Sequence, residues 1–356
     1  MHKKLFIPGP VEVSEDVLQK MSTPMIGHRT KEASNLQRSI SEKMMKVMYT
    51  NNQILLSTSS GSGLMEGAIR SCTQRKAAVF SVGAFGDRWY KMAKANGVQA
   101  DIFSSEPGKT TTPEMIEKAL SSGDYDLITI THNETSTGVM NPLDELSKVW
   151  SKFPDVVVCV DTVSSMGGTK IEVDKLGIDI CITSTQKCLG LPPGMSICSF
   201  SQKAINAAKN VKYRGLYLDL LDLYEYIQKK DYQYPSTPSI SHMFALDYQL
   251  DKILAEGLEN RFARHLEMAN ATREWAKKYF ELFPEEKYSS NTVTCIKNTR
   301  NVNVSELNKK LGERGYMISN GYGDLKDITF RIAHMGDATV TELKNLLFAI
   351  NDILGL

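Results

Sequence analysis

Between Asn51 and Phe200, short apolar runs alternate with helix-like segments. The expected strands are Gln53–Thr58, Ala77–Val82, Ala100–Ser104, Leu127–Thr131, Val156–Val160, Ile178–Thr183 and Ser196–Phe200. Several are apolar on both faces, which suits strands covered by helices on each side. Thr112-Pro113-Glu114 reads as an N-cap, a proline at the first helical position and an acid in the first turn. Asp87 is expected to cap a helix that ends at Gly97. Alternation of this kind predicts an α/β fold: a mostly parallel seven-stranded sheet between helices. Such sheets bind ligands outside the carboxyl ends of their strands, so the turns after these runs are where chemistry is sought.

The 356-residue chain leaves room for a second unit. Ile240–Glu256 and Gly257–Phe280 read as two long helices meeting near Gly257. From about Tyr288 the pattern gives strand, helix, strand and a closing helix, Thr341–Leu354. The expected division is an N-terminal arm (1–15), a large domain (16–257) and a smaller α+β domain (258–356).

Composition excludes several classes of partner. A net charge of +1 leaves no footprint for nucleic acid or an anionic membrane surface. No apolar run approaches the roughly 20 residues that span a bilayer, and the N-terminus has no apolar signal core. The six cysteines lie mostly in apolar stretches without a C-x-x-C pair, as buried thiols of a reducing compartment would. No H-x-x-x-H pair suggests a metal. The expectation is a cytoplasmic protein without a structural metal.

Three positions carry chemistry. Lys187 follows directly on an apolar strand and precedes the turn Cys188-Leu-Gly-Leu-Pro-Pro-Gly194. A lysine partly desolvated there loses its proton more readily and can attack a carbonyl. Asp161 closes Asp155-Val-Val-Val-Cys-Val160, a run buried on both faces, and a carboxylate there needs a partner. A pyridinium nitrogen would serve as one. Ser57-Thr-Ser-Ser-Gly-Ser-Gly63 leads into a segment with apolar residues at 64, 65, 68, 69 and 72, which is helical spacing. Small residues at a helix start expose N–H groups to an anion such as phosphate. No Gly-Lys-[Ser/Thr] follows, so this is not a Walker loop. Phosphate cradle, pyridinium partner and reactive lysine together are far more specific than any one alone.

With these pieces the chain resembles the class V aminotransferases of the fold-type I pyridoxal 5'-phosphate (PLP) superfamily, the alanine–glyoxylate and serine–pyruvate group above all. The resemblance starts at Phe6-Ile-Pro-Gly-Pro10. Its most specific pieces are Glu134-Thr-Ser-Thr-Gly-Val139, Val160-Asp-Thr-Val-Ser-Ser-Met-Gly-Gly168, and Ser184-Thr-Gln-Lys187 with Pro192-Pro-Gly194. The 26-residue step from Asp161 to Lys187 is similar too.

The resemblance implies that Lys187 bonds PLP and moves the substrate's Cα proton, while Asp161 keeps the pyridine nitrogen protonated. It implies that Phe85, in Gly83-Ala-Phe-Gly-Asp-Arg88, stacks on the ring and that Ser60, Gly61 and Ser62 cradle the phosphate. Thr135 would bond the phenolic oxygen and Gln186 would lie beside the phosphate. Arg331 would clamp the substrate carboxylate, with the backbone of Gly27 closing over it. Tyr234 and Thr237 would reach the phosphate of a neighbouring subunit, which implies a homodimer with shared sites. Many relatives carry tryptophan in place of Phe85, histidine or threonine in place of Ser62, and serine in place of Thr135.

The implied activity is ping-pong transfer of an amino group from alanine or serine to glyoxylate or pyruvate. A 2-aminoethylphosphonate–pyruvate transaminase is the alternative, resting on Lys187-Cys188 and Tyr217-Leu-Asp-Leu220. A cysteine desulfurase would need a nucleophilic cysteine on a polar loop, and no cysteine lies in one. Outside catalysis, a nucleotide-binding α/β protein is the rival; the pairing of Lys187 with Asp161 weighs against it.

Overall fold

The computed structural model describes residues 2–356. Its large sheet has seven strands in the order Gln53–Ser57, Ser196–Phe200, Ile180–Ser184, Val157–Asp161, Leu127–Thr131, Ala77–Ser81 and Ala100–Ser104. Ser196–Phe200 runs antiparallel to both neighbours, and the five strands beyond it pair in parallel. All seven expected strands are present, shifted by no more than two residues at either end.

Side-chain alternation builds a core on each face. Ile54, Leu56, Phe80, Ile128, Ile130, Val158 and Val160 point into one apolar cluster with the helices Lys31–Met48 and Ile240–Glu256. Leu55, Val79, Leu127, Val157, Ile180, Ile182 and Phe200 point into the other, with Gly61–Cys72 and Leu220–Lys229. Each such side chain removed from water contributes about 1.5–3 kcal/mol. All six cysteines are buried and unpaired. No helix among the described residues is long and apolar enough to cross a membrane.

One helix start differs from expectation. The helix Ala84–Ala95 begins three residues before Asp87, with Gly83 at its N-cap. Its free N–H groups are met by Glu134, whose carboxylate receives Phe85 N–H and Gly86 N–H. Asp87 lies inside the first turn and accepts a hydrogen bond from the Ser81 hydroxyl at 2.7 Å.

The second sheet has five strands, in the order Lys4–Phe6, Tyr316–Asn320, Thr329–Ala333, Val293–Lys297 and Glu281–Leu282. The stretch from Val293 to Ala333 holds three strands where the sequence pattern gave two. Only Ile318 of Tyr316–Asn320 is buried, so that strand has little apolar signal. The arm contributes the edge strand, with Phe6 opposite Ile318. The helices Leu258–Tyr279 and Val340–Leu354 cover this sheet, packing Met268, Trp275, Leu346 and Ile350 against Phe330 and Ile332.

Candidate active site

The strands Val157–Asp161 and Ile180–Ser184 lie side by side, with Asp161 opposite Ile182. Their carboxyl ends therefore deliver Asp161 and, three residues past the second strand, Lys187 to one place. Both are buried. The Asp161 carboxylate has one hydrogen bond inside the chain, from Val163 N–H at 2.8 Å, and burial pushes its pKa up to about 6. Burial pushes the Lys187 amine down to about 8, helped by the nearby Arg331 and Arg88. The amine donates to the Pro8 carbonyl oxygen on the N-terminal arm. The arm is held to the same loop by Val11 N–H, which donates to the Gln186 carbonyl.

The helix Gly61–Cys72 starts against this pair. Its N-cap Ser60 makes no side-chain capping bond, so the first turn presents free donors. Gly61 is pressed close: a Cβ there would stand 2.5 Å from a Val163 methyl and 3.4 Å from the Ser184 hydroxyl. Ser184, which nothing in the sequence marks as functional, is buried and its hydroxyl has no hydrogen-bond partner. Gln186 Oε1 is likewise buried without one. An unpartnered hydroxyl beside a helix N-terminus is a ready anion donor.

Phe85 stands on the first turn of Ala84–Ala95. The Arg88 guanidinium lies 4.6 Å from its ring centroid and donates to the Ser62 hydroxyl at 2.9 Å. Arg88 was not singled out from sequence, although its spacing three residues after Phe85 puts both on one helix face. Tyr322, also not anticipated, has its ring 5.6 Å from Phe85 and 5.6 Å from the Arg331 guanidinium.

Arg331 comes from the second sheet and is buried. Nε and one terminal nitrogen donate to the Asn320 carbonyl at 3.1 and 3.0 Å; the other donates to the Thr135 carbonyl at 3.1 Å. All its partners among the described residues are carbonyls, none a carboxylate, and two of its five N–H groups remain uncommitted. Thr135 is buried and its hydroxyl donates to Ser164 at 3.0 Å, leaving it free to accept a bond from a ligand.

The remaining candidates lie elsewhere. Gly27 and Thr237 are exposed, on two loops that Arg29 joins by donating to the carbonyls of Tyr234 and Pro235. Tyr234 is buried, and its hydroxyl receives Thr58 N–H of its own chain at 3.1 Å. Within one chain, then, Lys187, Asp161, Ser60–Ser62, Phe85, Thr135, Gln186 and Arg331 converge, while Gly27 and Thr237 stand apart at the surface.

A buried amine, a carboxylate that lacks a cationic partner, an anion-ready helix start and an arginine with two N–H groups to spare suit a cofactor with a phosphate, a ring nitrogen and a carbonyl. The aminotransferase class-V family matches residues 13–325 of the chain. The chain belongs to the class V aminotransferases. It is a PLP-dependent transaminase acting on small amino and oxo acids. This aminotransferase is 40% identical over 340 residues to an uncharacterised aminotransferase of Methanocaldococcus jannaschii, covering 94% of this chain and 88% of that one. It is 30% identical over 363 residues to the serine–glyoxylate aminotransferase of Arabidopsis thaliana, with 98% and 90% covered. The solved alanine–glyoxylate aminotransferase of Nostoc sp. superposes on this aminotransferase with a TM-score of 0.93 at 27% identity, over 99% of this chain and 96% of that one.

Proposed function

We propose that this aminotransferase carries the amino group of alanine or serine to glyoxylate or pyruvate, in two half-reactions at one site. The observation that carries this reading is the union of a buried lysine near its titration point with an arginine that has no carboxylate partner. One supplies a base, the other a receptor for the α-carboxylate, and they come from different sheets.

Ser60, Gly61 and Ser62 hold the cofactor's phosphate at the helix start, with the Ser184 hydroxyl and Gln186 beside it. Asp161 would partner the pyridine nitrogen, Thr135 the phenolic oxygen and Phe85 the ring. When bound, PLP supplies the electron sink that makes the Cα proton of an amino acid removable. Lys187 would hold the cofactor, and its amine, once free, would take up and return the substrate's Cα proton. An amine with a pKa of about 8 is divided between its two forms near neutral pH, as a base that must also act as an acid requires. Arg331 binds the α-carboxylate through its uncommitted N–H groups and so turns the Cα–H bond toward Lys187.

Donor and acceptor share Arg331 and Lys187, so the first oxo acid leaves before the second enters. This supports a ping-pong order. The full-length likeness to a serine–glyoxylate and an alanine–glyoxylate aminotransferase supports the substrate pair. Tyr234 and Thr237 are assigned to the phosphate of a second copy's site and the backbone of Gly27 to closing over the substrate carboxylate; Arg29 ties the two loops by donating to the carbonyls of Tyr234 and Pro235.

The test is a half-reaction. Holoenzyme given alanine or serine alone should release one equivalent of pyruvate or hydroxypyruvate per site, stop, and resume when glyoxylate is added. Decarboxylated or sulfur-containing products, or no oxo acid without an acceptor, would overturn the proposal.

A further inference from the structure

Two motifs meet at one fully buried carboxylate. Glu134 Oε2 receives Phe85 N–H at 3.0 Å and Gly86 N–H at 3.1 Å. Its Oε1 receives Ser136 N–H at 3.0 Å and the Ser136 hydroxyl at 2.5 Å. That hydroxyl in turn receives Ala84 N–H at 3.1 Å. The loop around Glu134 thus takes up the N–H groups of three consecutive residues at the start of Ala84–Ala95. The approach is so close that a Cβ on Gly83 would stand 2.7 Å from Glu134 Cγ and 2.6 Å from the Ser136 hydroxyl.

The two segments joined here are those that carry ring-facing groups. One bears Phe85 and Arg88; the other bears Thr135, whose carbonyl also receives Arg331. Four donors converge on two oxygens, and an ionised carboxylate accepts all four. Burial raises the Glu134 pKa, and the four bonds, each of which lowers it, offset that only in part. A negative charge at a helix N-terminus is also favourable. Glutamine has a single acceptor oxygen, and its amide would point donors at either the helix start or Ser136.

We infer that Glu134 is a positioning residue for the cofactor ring, setting the spacing between Phe85 on one segment and Thr135 on the other without touching the cofactor itself. The inference rests on the placement of PLP against Phe85 proposed above.

The experiment is a double-mutant cycle on the holoenzyme, with Glu134→Gln, Phe85→Ala and the pair. The readouts are the PLP dissociation constant and the visible circular dichroism of bound PLP. Residues in one network show non-additive effects, so Glu134→Gln should weaken PLP roughly tenfold in the wild type but less than about threefold beside Phe85→Ala. It should also reduce the visible dichroism. Wild-type affinity and dichroism in Glu134→Gln, or an equal loss in both backgrounds, overturn the inference. Phe85→Ala without any loss of affinity overturns the cofactor placement instead, and the inference with it. Should Glu134→Gln not fold, Ser136→Ala removes one donor and keeps the carboxylate. Its loss of affinity, roughly threefold, should likewise vanish beside Phe85→Ala, and an undiminished loss there overturns the inference.

Discussion

The Lys187 amine donates to the carbonyl oxygen of Pro8, two residues beyond an arm strand that pairs with the sheet carrying Arg331. The lysine that follows the large sheet is thus tied to the same small sheet that carries Arg331. Any shift of that sheet reaches both groups.

The lysine's surroundings set how fast it captures PLP. Only the neutral amine attacks a carbonyl, and burial brings the Lys187 pKa down to about 8. The rate at which apoprotein takes up PLP should therefore rise with pH, with a midpoint near 8, and level off above it. Stopped-flow absorbance between about pH 6.5 and 9.5 reads this. A rate still climbing through the whole range, as for an ordinary lysine near 10.4, would remove the buried-amine account.

Asp161 should cost the apoprotein stability. Its folded pKa of about 6 lies above the usual 3.8, so the folded state binds the extra proton. The destabilisation is fully present above pH 6 and fades as pH falls toward 3.8. Two pKa units correspond to about 3 kcal/mol. Asp161→Asn keeps an acceptor for Val163 N–H and should raise the apoprotein Tm by several degrees at pH 7.5, with little change at pH 4. Turnover should fall at least about a hundredfold. A lower Tm at pH 7.5 would contradict this.

Arg331→Lys keeps the charge and loses the planar fork. A two-pronged charged hydrogen bond is worth about 2–3 kcal/mol, so kcat/KM should drop by roughly fiftyfold. The loss should fall mainly on KM, with PLP affinity unchanged. A variant that loses PLP but binds substrate normally would assign Arg331 to the cofactor.

Tyr234 and Thr237 should behave differently. Tyr234→Phe strands the Thr58 N–H and should cost about 1–2 kcal/mol of stability. Thr237→Ala, at an exposed position, should leave stability within about 0.5 kcal/mol of wild type yet loosen PLP. Normal PLP affinity in Thr237→Ala, or an active monomer by light scattering, would end the shared-site proposal.

Much of the seven-stranded sheet could be read from the chain because strands buried on both faces leave nearly continuous apolar runs. Lys187 and Asp161 stood out for the same reason: each is a charge at the end of such a run. What escaped notice depends on partners distant in sequence. The helix at Ala84 is capped by Glu134, 49 residues away in one of its bonds, so the nearer Asp87 was a misleading signal. Arg88 and Tyr322 gain meaning only once Phe85 and Arg331 are brought together. The bond from Thr58 N–H to the Tyr234 hydroxyl joins residues 176 apart and leaves no mark in the sequence. The arm strand Lys4–Phe6 is three residues long, too short for any periodicity.

The most direct test of the site is reductive trapping. Holoenzyme treated with borohydride, digested and examined by mass spectrometry should carry the reduced cofactor on one peptide, the one containing Lys187. Cofactor on any other lysine, or none bound covalently, would contradict the account.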